Sequence, residues 1–70
     1  GELVGRVDLK RADGVLNVVG AFTEDGRDRS RVATAMAAEL RSMAGWLGLD
    51  DVVVGDRGDL VTALRAALVS

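Results

Sequence analysis

Seventy residues, 49% of them hydrophobic and 29% charged, are enough for one small folded domain and too few for two. The chain has no cysteine and no histidine, which excludes a disulfide framework, a thiolate or imidazole metal centre and a histidine general base. A net charge of −2 gives no support to nucleic-acid binding by bulk charge alone.

The first element is read from "LVGRVDLK" at residues 3–10. Leu3, Gly5, Val7 and Leu9 alternate with Val4, Arg6, Asp8 and Lys10, the period-two pattern of a half-buried strand. "RADG" follows, and Asp13-Gly14 supplies the positive φ angles of a tight hairpin turn. The second strand, "VLNVVGAF" at 15–22, places Leu16, Val18 and Phe22 on one face and Val15, Asn17, Val19 and Ala21 on the other. Gly20 within it predicts a bulge or the close approach of a helix.

The polar stretch 23–30 reads as a loop, with Asp28 or Ser30 as helix N-cap. Helical spacing then runs to Leu47. Val32, Met36, Leu40, Met43 and Leu47 form the apolar stripe, Ala33, Ala37 and Ala44 widen it, and Trp46 is expected at the core edge or an interface. Gly48 fits the left-handed C′ position, with Leu49 folding back on the last turn. "DDVVVG" at 50–55 reads as a buried strand. Asp59 is expected to N-cap a second helix whose apolar side is Leu60, Val61, Leu64 and Leu68.

The predicted order is β-β-α-β-α, an α+β fold. A right-handed crossover makes the third strand parallel to the second. The simplest sheet has strand order 2-1-3, both helices on one face, and Arg6, Asp8 and Lys10 on the uncovered face of a central first strand. No linker or internal repeat divides residues 1–70, so they form a single module. A start at Gly1 rather than Met suggests a piece of a larger protein. No apolar run approaches the roughly 20 residues of a membrane span, so no membrane partner is expected and the cytoplasm is the expected compartment.

Four clusters bear on function. Arg6, Lys10 and Arg11 are candidate phosphate contacts, since a guanidinium can hold a phosphate through two parallel bonds, and Asp8 is a candidate orienting group. The alternative is a solvated sheet face. Arg27, Arg29 and Arg31 flank a helix start, but Asp25 and Asp28 among them favour a solvated loop. "RGD" at 57–59 is explained by a glycine ahead of a helix start. Asp50-Asp51 lacks the further oxygen ligands a divalent cation needs. No phosphate-binding glycine loop, nucleophile elbow or pair of catalytic carboxylates is present, so no catalytic residue, metal or cofactor is assigned.

The succession "LVGRVDLK", "GVLNVVGAF" and "VATAMAAELRSMAGWLGLDDVVVGDRGDL" resembles the C-terminal end of the winged-helix DNA glycosylases of the AlkZ/YcaQ type. That family is associated with excising bulky alkylated bases and unhooking interstrand crosslinks. The likeness covers nearly the whole chain, with "GRVDLK" and "WLGL" as its most specific pair. It implies a larger DNA-repair parent in which tandem winged helices precede this module and engage double-stranded DNA. The family's catalytic glutamine motif would lie upstream; this chain has no glutamine. Only Arg6, Asp8 and Lys10 fall on the "RVDLK" signature. The competing expectation is a structural module that self-associates, as a homodimer, through its exposed sheet.

Overall fold

Asp13 and Gly14 take φ angles of 54° and 75°, the pair of left-handed conformations that a two-residue hairpin loop demands. In the computed structural model, which describes residues 5–24 and 28–69, this turn joins β1 (Gly5–Ala12) to β2 (Val15–Thr23). The predicted positions Leu3 and Val4, and Arg27 of the loop, lie outside the described residues. Helix α1 (Arg29–Leu47), strand β3 (Asp51–Arg57) and helix α2 (Val61–Leu68) complete the β-β-α-β-α order.

The sheet order is β1-β2-β3, which corrects the expected 2-1-3. β2 is central, antiparallel to β1 and parallel to β3. The physical reason lies in the side chains. β2 carries Leu16 and Val18, both almost fully buried, whereas β1 alternates charged residues suited to a solvated edge. The α1 crossover links neighbouring parallel strands and leaves β1 outside.

A bulge at Val19 produces a second correction. Asp8 pairs with Gly20 and Leu9 with Val18, so Val19 has no partner on β1. The extra residue shifts the phase of β2 by one. Ala21 therefore joins Leu16 and Val18 in the core, while Phe22 turns to the opposite face against Arg6, reversing the faces predicted for both. Gly20 accommodates the Phe22 ring: a Cβ there would lie 2.9 Å from the ring edge.

One core lies between the sheet and both helices. It comprises Leu16, Val18 and Ala21 of β2, Val32, Ala33, Met36, Ala37, Leu40 and Ala44 of α1, and Leu60, Val61 and Leu64 at α2, with Val7, Val52 and Val54 packed against it. Alanines at three of the six buried α1 positions let the helix sit close on its neighbours. The predicted caps of α1 form. Asp28 accepts from the Ser30 and Arg31 amides at 3.0 and 3.3 Å. Gly48 is left-handed, and the Leu49 amide returns to the Ala44 carbonyl at 2.9 Å.

The apolar stripe of α1 ends earlier than its spacing predicts. Met43 and Leu47 are 39% and 43% exposed, and Trp46 is 89% exposed rather than at the core edge. Met43 and Leu47 share the flank of the buried Val32, Met36 and Leu40 but lie toward the C-terminal end of α1, where that flank is no longer covered.

Candidate interaction surface

The two faces of the sheet differ in kind. Pairing partners in an antiparallel ladder share a face, so the register assigns every β1 side chain. Val7 opposite Ala21, Leu9 opposite Val18 and Arg11 opposite Leu16 belong to the helix side. Arg6 opposite Phe22, Asp8 opposite Gly20 and Lys10 opposite Asn17 belong to the open side. Arg6, Asp8 and Lys10 thus share the uncovered face, as the alternation predicts. Arg11 is on the other face and does not join them.

On the open face the Arg6 guanidinium lies 4.6 Å from the centroid of the Phe22 ring. The contact is a cation–π stack that fixes the long side chain while leaving the guanidinium edge available to a partner. Farther along, Lys10, Ala12, Asn17, Val19, Val53, Gly55, Asp56 and Arg57 line a shallow open depression. Val19 and Val53 are its exposed apolar floor. Arg57 is the basic residue that sequence reading missed. In "RGD" it read as part of a helix start, but its register opposite Gly20 at the end of parallel β3 brings it to the open face. The face therefore presents Lys10, Asp56 and Arg57 beside a small apolar centre, with Arg6 and Asp8 farther along β1.

The other candidate clusters are absorbed by the fold. Asp59 does not cap α2. Leu60 occupies that position without a side-chain cap, and its amide bonds to the Ala21 carbonyl at 3.1 Å. The Asp59 carboxylate instead accepts the Thr23 hydroxyl, the Thr23 amide at 3.1 Å and the Arg29 Nε at 3.0 Å. The Thr23 hydroxyl bond is the main cause that lowers its pKa from the ordinary carboxylate value to about 2, followed by the Thr23 amide and Arg29. This clasp ties the end of β2 to the start of α1 and uses up Arg29.

Gly58 makes the approach possible. It has a φ of 108°, and a Cβ there would lie 1.9 Å from the Ala21 carbonyl oxygen. Close packing of backbone on backbone thus accounts for the "RGD" tripeptide. Asp51 accepts the neighbouring Val52 amide at 2.8 Å, as a residue opening a strand does.

Among the described residues there is no buried polar side chain and no grouping of three or more potential metal ligands. Among the described residues no helix is long and apolar enough to cross a membrane. No protein-family model, curated protein or solved structure matches this chain.

Proposed function

We propose that this chain is a non-catalytic C-terminal module of a winged-helix, DNA glycosylase-like protein. It braces the parent's DNA-binding domains through its open sheet face and sets basic side chains beside DNA phosphates. The excision of alkylated or crosslinked bases would belong to the parent, with its catalytic glutamine motif upstream. The sequence likeness over "GRVDLK" and "WLGL" supports the parentage. The observation that carries the role of the module is the composition of the uncovered face. Lys10 and Arg57 border an apolar patch of Val19 and Val53, and Arg6 on its Phe22 platform lies farther along the same face. Such a surface offers an apolar centre to a protein neighbour and cations at its rim to an anionic one.

A fluorescence-anisotropy titration of the chain with a short duplex tests the phosphate contacts. We expect weak binding that falls as salt rises through counterion release. Arg6→Ala and Lys10→Ala should each reduce the logarithmic salt slope by about one, as loss of one phosphate contact does. Arg11→Ala, on the other face, should change it least. Absence of binding at low salt would remove the phosphate contacts and leave the bracing role. Equal effects of the three substitutions would show that contact with DNA is not confined to the open face.

A further inference from the structure

We propose that β1 is a self-complementary edge through which two copies of this chain join antiparallel, centred on Leu9, into one six-stranded sheet. This inference does not depend on the DNA reading.

The backbone of β1 is poised for it. The two-residue loop pairs Ala12 with Val15, and a turn of this kind closes with those two residues bonded to each other. Donors and acceptors alternate sides along a strand, and the bulge residue is on β2, so β1 itself stays regular. Lys10 and Asp8 therefore direct their amides and carbonyls toward β2, whereas Val7, Leu9 and Arg11 direct theirs outward. The strand has no proline to block addition.

Side chains select the register. A two-fold axis perpendicular to the sheet keeps both open faces on the same side, so each residue meets one of the same parity. Centring on Asp8 would oppose Asp8 to itself and Arg6 to Lys10, and centring on Lys10 would oppose two lysines. Centring on Val7 matches Arg6 with Asp8 but overlaps only residues 5–9 of the strand. Centring on Leu9 overlaps residues 6–12 and places Asp8 of each copy opposite Lys10 of the other. These are two ion pairs in the non-hydrogen-bonded positions, where side chains come closest.

The helix side favours the same centre. Arg41 of α1 donates to the Ala67 and Leu68 carbonyls of α2 and so marks the flank of α1 that faces α2. At roughly 100° per residue, Met43, Trp46 and Leu47 lie about 120–160° around the axis from Arg41. That is the flank toward β1. At its upper end Val32 and Met36 come close to Gly5, where a Cβ would lie 2.9 and 3.1 Å from their side chains. Met43 follows two turns below Met36, about 10 Å on. Leu9 follows four residues after Gly5, about 13 Å on. Leu9, 36% exposed, lies on this helix side of the sheet, at a distance along β1 similar to that of Met43 along α1. Pairing Leu9 with Leu9 brings two exposed leucines together at the joint, on the side that carries α1.

Sedimentation velocity from about 10 µM to about 1 mM tests the proposal, since a short joint of this size forms at such concentrations. We expect a concentration-dependent dimer. Asp8→Lys and Lys10→Asp should each weaken it at least about tenfold by opposing like charges. The double variant should restore it. Arg11→Pro removes an outward amide that β2 does not use and should abolish dimerisation, with circular dichroism confirming that the fold is kept. A strict monomer across the range would overturn the proposal. So would a dimer that survives Arg11→Pro in the folded variant, or a charge exchange that fails to rescue.

Discussion

The two edges of this sheet are finished in opposite ways. Along β3, Arg65 of α2 reaches across and donates to the Val54 and Gly55 carbonyls at 3.1 and 2.5 Å, so a side chain from the adjoining helix bonds to the backbone of that strand. Along β1, no helix side chain among the described hydrogen bonds plays that part, and the strand carries the charges of Arg6, Asp8, Lys10 and Arg11. The lesson concerns connectivity. A β-α-β-α order delivers its last helix beside its last strand, so the chain's own path covers one edge and leaves the other to sequence chemistry. An edge managed by charge alone is selective about its partners, because charges repel one register and match another.

Substitutions at the covered side should break this contrast. The largest effect is expected at Gly58, whose left-handed backbone packs on the Ala21 carbonyl. Gly58→Ala should destabilise the domain by about 3 kcal/mol or more, a large part of the total for a fold of this size, read as a lower urea midpoint. With α2 detached, β3 would become as open as β1. A smaller loss, about 1–2 kcal/mol, is expected for Arg65→Met, which withdraws a charged donor from two carbonyls while keeping the aliphatic stem. Faster amide exchange confined to β3 and α2 would mark the uncovered edge, whereas uniform acceleration would show a general loss of stability.

Acid should probe the neighbouring corner. The folded-state pKa of Asp59 is depressed from 3.8 to about 2 by the Thr23 and Arg29 bonds. The stability it contributes is present above the unfolded value and is lost as pH falls from about 4 toward about 2. Asp59→Asn should flatten that part of the stability–pH curve, measured by thermal melts in matched buffers. An unchanged acid limb would assign the loss to other carboxylates. The smallest effect belongs on the β1 side. Trp46→Ala should change monomer stability by less than about 0.5 kcal/mol, because the indole is 89% exposed. Its fluorescence in dilute solution should be fully open to acrylamide quenching.

Local signals in the sequence were sound where one stretch decides the outcome. The Asp13-Gly14 turn, the Asp28 cap, the Gly48-Leu49 ending and the buried side of α2 all follow from neighbours in the chain. What failed depends on partners. Strand order was misjudged because alternation shows that β1 has a wet face but not whether it lies inside or at the edge. The Val19 bulge reversed the roles of Ala21 and Phe22, since a single extra residue leaves the composition of a strand unchanged. Spacing put Met43 and Leu47 in the core because periodicity records that a helix flank is apolar, not how far its neighbours extend along it. For the candidate surface, the common face of Arg6, Asp8 and Lys10 was legible in their spacing. Arg57 was not, because its place depends on the irregular pairing of β3 with β2.

The Asp59 clasp also bears on the order in which the chain assembles. Its partners, Thr23 and Arg29, are 36 and 30 residues away in sequence, far beyond the reach of the β1–β2 hairpin. Such a contact can close only after β3 has docked and Gly58 has turned the backbone toward Ala21, so it belongs to the late side of the folding barrier. Removing it should leave the refolding rate nearly unchanged and raise the unfolding rate. Asp59 then acts as a latch that sets how long the folded state persists, not how quickly it is reached.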